Sequence, residues 1–207
     1  LYKSLSGKRS DAENVVRCNW VGQHEDYKAY HDDEWGRPII GDSDLFERIC
    51  LEGFQAGLSW LTILRKRESF RSAFETFEPS RVAEFDQKKV ESLMNNVQIV
   101  RNRAKISSTV NNAQCALKMI DEYGSLANFL WSFEPSSKRY KNVNSVPSQT
   151  DDSKKLSSEL KKKGWSFVGP TTIYAFMQAV GMVNDHVTSC WVFEDVENER
   201  RKLSRPI

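Results

Sequence analysis

Residues 95–124 read NNVQIVRNRAKISSTVNNAQCALKMIDEYG, and their pattern sets the fold class. Arg103, Ile106, Val110, Ala113, Leu117 and Ile120 recur at the alternating three- and four-residue steps of one helix face. Gly124 supplies the expected C-terminal stop. The residues before Arg103 break that period, so Asn95–Asn96 and the five residues after them read as a hinge. Upstream of the hinge, Val90, Leu93 and Met94 begin another helical pattern.

The same period extends in both directions. Leu45, Ile49, Ala56 and Trp60 follow one another at steps of four, seven and four, with Asp44 and Glu47 placed as a capping box. After Gly169-Pro170, Thr171 is the expected N-cap of a helix carrying Ile173, Phe176, Met177 and Val180, closed by Gly181. Residues 135–152 (PSSKRYKNVNSVPSQTDD) lack periodicity and read as a long surface loop, followed by a basic helix over 153–163 that ends at Gly164. No period-2 strand and no internal repeat is visible. The expectation is an all-α protein.

Composition narrows the function classes. Hydrophobic residues make up 39% and charged residues 28% of the 207, ordinary values for a globular chain. No apolar run approaches the ~20 residues that span a bilayer, so no membrane partner is expected. Residues 1–14 are polar and rich in Lys and Ser, and read as a tail and not as a signal peptide. The net charge of +2 does not by itself imply a nucleic-acid partner, so a DNA-facing surface has to come from local segregation of charge.

Cysteine and histidine spacing suggests a metal site. Cys18 and His31 lie near the start of the patterned region, and His186 and Cys190 stand four apart near its end, as on one helix face. Two thiolates and two imidazoles suit a closed tetrahedral zinc site. The same residues read alternatively as a hydrogen-bonded core histidine and small buried thiols. Cys50 and Cys115 fall on apolar helix faces and read as core, and His24 as exposed. Glu52 shares the face of Leu45, Ile49 and Ala56, where a carboxylate is costly unless satisfied. It is either paired to an amide or arginine, or faces a pocket. Of the tryptophans, Trp20 and Trp131 read as core; Trp165 and Trp191 stay open.

Several blocks in order, RCNW at 17–20, YHDDEWG at 30–36, CLEGFQAGLSWLTILRKRE at 50–68, FVGPTTIYAFMQAVGMVNDH at 167–186, and the closing Cys190, closely resemble the DNA-3-methyladenine glycosylase I family. The resemblance implies a helix-hairpin-helix DNA glycosylase fold, with a structural zinc on Cys18, His31, His186 and Cys190 joining the N- and C-terminal segments. It implies one glycosylase unit over 17–195, with a zinc-bearing lobe (17–60 and 165–195), a helix-hairpin-helix lobe (61–164), and tails at 1–16 and 196–207. Glu52 becomes the carboxylate that contacts the base, and Tyr30, Trp35 and Trp60 the aromatics that line or stack on it. Gly57 and Leu58 become the turn that meets DNA and fills the gap left by the flipped nucleotide.

The hinge becomes the DNA-binding hairpin, with Gln98 where the family has glycine, so Asn95 or Asn96 is expected to take the left-handed conformation. Arg101, Arg103 and Lys105 are placed to meet phosphates. Asp121 is not promoted to a catalytic role, and no lysine is nominated for a Schiff base. The implied activity is therefore monofunctional: hydrolysis of the N-glycosidic bond of 3-methyladenine in alkylated double-stranded DNA, with free base and an abasic site as products. A zinc-bearing intracellular monomer without an organic cofactor completes the expectation.

Overall fold

The computed structural model describes residues 15–136 and 140–206, and the expected tail over 1–14 lies outside them. Ten α-helices occur among the described residues: α1 Glu25–Asp33, α2 Asp42–Gln55, α3 Trp60–Ala73, α4 Pro79–Val82, α5 Gln87–Asn95, α6 Arg103–Tyr123, α7 Leu126–Trp131, α8 Asp151–Lys162, α9 Pro170–Ala179 and α10 Phe193–Lys202. No strand forms among the described residues; Tyr140 and Val187 make a single bridge. The fold is all-helical, as the periodicity required. None of these helices is long and apolar enough to cross a membrane.

Local chemistry explains the helix ends. Asn102 caps α6 by accepting from the Lys105 amide, and Gly124 stops it in the left-handed conformation at φ +81°. Ser59, Asp86 and Ser125 cap α3, α5 and α7 in the same way. Thr150 and Ser153 form a reciprocal capping box at the start of α8. The expected box at Asp44 and Glu47 does not form. Helix α2 begins three residues earlier than its capping pair required, after Gly41, and Asp42 accepts instead from the Leu126 and Ala127 amides of α7. Thr171 is likewise not a cap: Gly169 holds that place and Pro170 takes the first turn, where its missing N–H costs nothing. Ala56 is the C-cap of α2, and Trp60 opens α3, so their shared period spans a turn and not one helix.

Helix α2 is buried from Leu45 to Phe54 and packs against α3, α6, α7 and α9. Phe46, Phe54, Phe70, Phe74, Phe77 and Phe176 are fully enclosed around it. Each such side chain contributes about 1.5–3 kcal/mol by leaving water. A smaller apolar cluster of Cys18, Val21, Val187, Cys190, Val192 and Phe193 brings the two ends of the described chain together.

The expected tail after Asp195 is instead the body of α10. Its Arg200 is 4% exposed and donates to the carbonyls of Gly181 and Met182 at 2.7 and 2.8 Å, too well satisfied to be left in solvent. Gly181 itself has φ +75°, and a Cβ there would sit 2.6 Å from the Gly36 carbonyl oxygen. Only glycine lets those two backbone segments cross.

Candidate active site and metal centre

Two adjoining features occupy the ground between α1, α2, α9 and the segment after α9. The first is a cluster. Cys18 precedes the short 3-10 turn Asn19–Val21, and His31 lies in the last turn of α1. His186 and Cys190 come from the irregular chain between α9 and α10. The expected helix at 186–190 does not form. A turn closed by the Cys190 amide on the Val187 carbonyl brings the pair together, while Trp191 is held by the Val16 carbonyl. All four residues are buried and their ligand atoms lie within 4.8 Å of one another, so this cluster could hold a metal ion.

The surrounding hydrogen bonds turn one nitrogen of each imidazole inward. His31 Nδ1 bonds the Asp32 carboxylate at 2.7 Å, which leaves Nε2 3.5 Å from the Cys190 sulfur. His186 Nε2 bonds the Trp35 carbonyl at 3.0 Å, which leaves Nδ1 3.5 and 3.7 Å from the two sulfurs. Outer partners of this kind set the tautomer and aim of ligating histidines. Burial pushes the Asp32 carboxyl up, but bonds from His31, Arg17 and Trp191 outweigh it and hold it at about 2. The Cys18 thiol and both imidazoles hold Cys190 far below the usual thiol range. Spacing did not reveal Arg17, Asp32 or Trp191; an acid directly beside a candidate ligand histidine is the signal that could have found Asp32.

The second feature is a cavity of about 230 Å³. Glu52 and Gln55 line it from α2, Tyr27 and Tyr30 from α1, Trp60 from α3, and Ala175 and Gln178 from α9. Trp20, Trp35, Val146 and Asp185 complete it. Sequence reasoning thus found Glu52, Tyr30, Trp35 and Trp60, all of which the fold brings to one cavity. It missed Tyr27, although a residue three before Tyr30 shares its helix face. Trp20, expected in the core, is half-buried and lines the cavity. Its ring packs edge-on to Trp35 with centroids 4.9 Å apart, and Trp35 packs in the same manner on His186 at 4.6 Å. The cluster therefore props one wall of the cavity.

Glu52 is 5% exposed and has no hydrogen-bond partner among the described residues. Burial pushes its carboxyl up to about 8, and the Arg48 guanidinium one turn back offsets only part of that. Arg48 is itself engaged by Glu34 at 2.7 Å, with one nitrogen left without a partner. The Tyr30 and Trp60 rings pack at a tilt of 44° with centroids 5.4 Å apart, and the buried Trp60 Nε1 has no acceptor among the described residues. Asp185 is 4% exposed, and burial raises its carboxyl. The cavity thus combines π-faces with carboxyl groups and can take a flat, electron-poor heterocycle.

Gly57 and Leu58 form the exposed turn between α2 and α3, where Gly57 has φ +82° and Leu58 is 39% exposed. The turn is built by reciprocal bonds between Gln55 and Leu58. Lys105 does not reach outward as expected: it is 8% exposed, and its ammonium donates to the Phe54 and Ala56 carbonyls at 2.8 and 2.6 Å, capping the end of α2. Arg103 pairs with Glu91 at 2.6 Å, while Arg101 and Gln98 are exposed.

The link between α5 and α6 also differs from expectation. Asn96 has φ −78°, and neither Asn95 nor Asn96 takes the left-handed conformation. The Asn96 side chain accepts from the Gln98 amide at 2.9 Å, Ile99 is buried beneath, and Lys66 donates to the Val97 and Gln98 carbonyls. An Asx turn tied down by a lysine closes this hairpin without glycine.

The profile of one family, described as methyladenine glycosylase, matches residues 20–194. A DNA-3-methyladenine glycosylase of Haemophilus influenzae is 46% identical over 179 residues, covering 85% of this chain and 97% of that protein. A crystal structure of a 3-methyladenine DNA glycosylase I superposes with a TM-score of 0.83 at 46% identity, over 85% of this chain and 98% of the other. A further 3-methyladenine DNA glycosylase I, a variant in complex with 3-methyladenine, superposes with a TM-score of 0.82 at 36% identity, over 84% and 96%.

Proposed function

The chain belongs to the methyladenine glycosylase family, and from that premise we propose that it excises 3-methyladenine from alkylated double-stranded DNA by hydrolysing the N-glycosidic bond. The observation that carries the reading is Glu52, enclosed without a hydrogen-bond partner among the described residues in a cavity walled by Tyr27, Tyr30, Trp35 and Trp60. Methylation at N3 makes adenine cationic and weakens its bond to the sugar, so protonation of the leaving group matters little. Selection then falls to the pocket. A cation entering beside Glu52 stabilises its carboxylate, replacing the water that burial removed. The aromatic faces favour the same charge.

The base reaches such a cavity only by leaving the duplex. Leu58, at the tip of the α2–α3 turn, is assigned to the vacated stack, with Gly57 allowing close approach of the backbone. The hairpin amides near Gln98, with Arg101, are assigned to phosphate, and Arg103 joins them where its Glu91 pairing yields. The reaction ends at an abasic site, since Lys105 is committed to two carbonyls and is not among the residues lining the cavity. Residues 17–195 are read as one glycosylase unit acting as an intracellular monomer.

The metal is assigned as zinc. Tetrahedral zinc with two nitrogens and two sulfurs spaces its ligand atoms about 3.3–3.8 Å apart; four of the six pairs stand 3.2 to 3.7 Å apart, near that spacing, and all lie within 4.8 Å. With all four positions supplied by protein, the ion's contribution is to hold the chain ends together. Chromatography of freshly methylated duplex DNA after incubation with the folded protein tests the activity. Free 3-methyladenine is the expected product, and its absence refutes the reading.

A further inference from the structure

Asp185 is the second carboxyl group in the cavity wall, and nothing in the excision scheme above uses it. Its Oδ2 accepts from the Tyr174 hydroxyl at 2.6 Å and from the Gln178 amide at 2.8 Å. Those donors stand one turn apart on α9, whose Ile173, Phe176 and Met177 are locked in the core. Its neighbours are fixed as well. The Asn184 amide donates to the Phe193 carbonyl and to Glu197, both at 3.1 Å, and His186 is held by the Trp35 carbonyl. The other oxygen, Oδ1, accepts no hydrogen bond among the described residues. A carboxylate only 4% exposed, in the wall of a cavity, with one oxygen anchored twice and the other without a donor, is costly unless a ligand completes it.

Further polar groups in the cavity sharpen what that ligand must offer. The Gln55 amide nitrogen spends one N–H on the Leu58 carbonyl, and the Gln178 amide nitrogen spends one on Asp185. The wall presents two carboxyl groups, Glu52 and Asp185, together with aromatic faces. A heterocycle carrying an exocyclic amino group matches such a wall. One with a carbonyl at the same position sets oxygen against oxygen.

We propose that Asp185 is a specificity-determining residue of the base cavity, whose free Oδ1 accepts the N–H edge of the bound heterocycle and so selects 6-amino over 6-oxo N3-alkylated purines. This rests on the reading of the cavity as a base site. Tyr174 and Gln178 act through Asp185 as positioning residues. A buried acceptor left facing another acceptor rejects the mismatched ring more strongly than a missing apolar contact would.

The test uses the full metal-loaded chain and measures the affinity of free 3-methyladenine and of 3-methylhypoxanthine, its 6-oxo counterpart, by quenching of the cavity tryptophans. Wild type is expected to prefer the amino base by at least about tenfold. Asp185→Asn, which keeps an oxygen for Tyr174 and Gln178 but presents an amide donor to the cavity, is expected to lose about 10- to 100-fold on 3-methyladenine, with the 6-oxo base held or improved. Tyr174→Phe, which leaves the carboxylate but removes one of its anchors, is the second arm and should lower the same ratio several-fold. A general loss of folding or of metal moves both affinities together; only a change in their ratio supports the assignment. Equal wild-type affinities, or an unchanged ratio in both variants, overturn it while leaving the excision reading standing. Failure of wild type to bind either base removes that reading and this inference with it.

Discussion

Replacing Glu52 with glutamine should make the ligand-free protein more stable while making it a poorer binder, and the two effects can be sized. The folded-state carboxyl titrates near 8, against an ordinary 4.5, because α2 carries it out of water and Arg48 compensates only in part. An acid raised on folding holds its proton when the unfolded chain has lost it, so stability falls as pH rises between the two values. At 1.36 kcal/mol per unit, the native protein gives up about 3 kcal/mol by pH 7 and about 5 kcal/mol above pH 8. Glutamine has nearly the same shape and never ionises.

Glu52→Gln should therefore match wild type near pH 4.5 and exceed it by up to about 3 kcal/mol at pH 7. In a chain of this size that is a rise of roughly 6–12 °C in Tm. Urea unfolding of both proteins at several pH values between 4.5 and 8.5 isolates this residue, since every other group titrates identically in the pair. Over the same series, affinity for 3-methyladenine should fall about 10- to 100-fold, the loss expected for one charge-assisted hydrogen bond. A stability difference that does not grow with pH would sink the claim that Glu52 is a desolvated, unpaired acid. A glutamine variant that is less stable at every pH would do the same.

Elemental analysis of natively purified protein should find about one zinc per chain, and Cys190→Ser should lose it together with a cooperative part of the unfolding transition. Zinc-free native protein, or unchanged melting after chelation, contradicts a structural staple. Leu58→Ala should slow excision from duplex DNA by an order of magnitude or more while leaving affinity for free 3-methyladenine intact, because Leu58 is exposed and is not among the residues lining the cavity. Equal loss on both substrates would place Leu58 in the base site instead. Lys105→Met should destabilise the fold by about 1–3 kcal/mol through the two carbonyls it leaves unsatisfied at the end of α2. A stability unchanged in urea titration would show that those bonds are not needed.

Short-range patterning carried most of the secondary structure. The α6 face from Arg103 to Ile120 and its stop at Gly124 were legible because a helix period and a left-handed glycine are local properties. The placement of Glu52 on the buried face of α2 was legible for the same reason. The helix expected at 186–190 was not, because four residues of spacing suit a turn as well as a helix. The left-handed asparagine expected at the hairpin does not occur, because an Asx turn at Asn96 closes the link and Lys66, 31 and 32 residues away from the carbonyls it meets, steadies it.

By itself, then, the sequence determined an all-helical chain, a core-facing carboxylate, and two pairs of possible ligands at its two ends. Tertiary structure alone decided that those pairs meet, that Asp32 and the Trp35 carbonyl aim their imidazoles inward, and that Asp185, Trp20 and Tyr27 join Glu52 at one cavity. It also decided that Lys105 points into the fold and not toward a phosphate. The physical reason is common to all of these. Periodicity reports which face of an element avoids water, whereas the partner of a buried charge is set by whichever distant group the packing brings within hydrogen-bond reach.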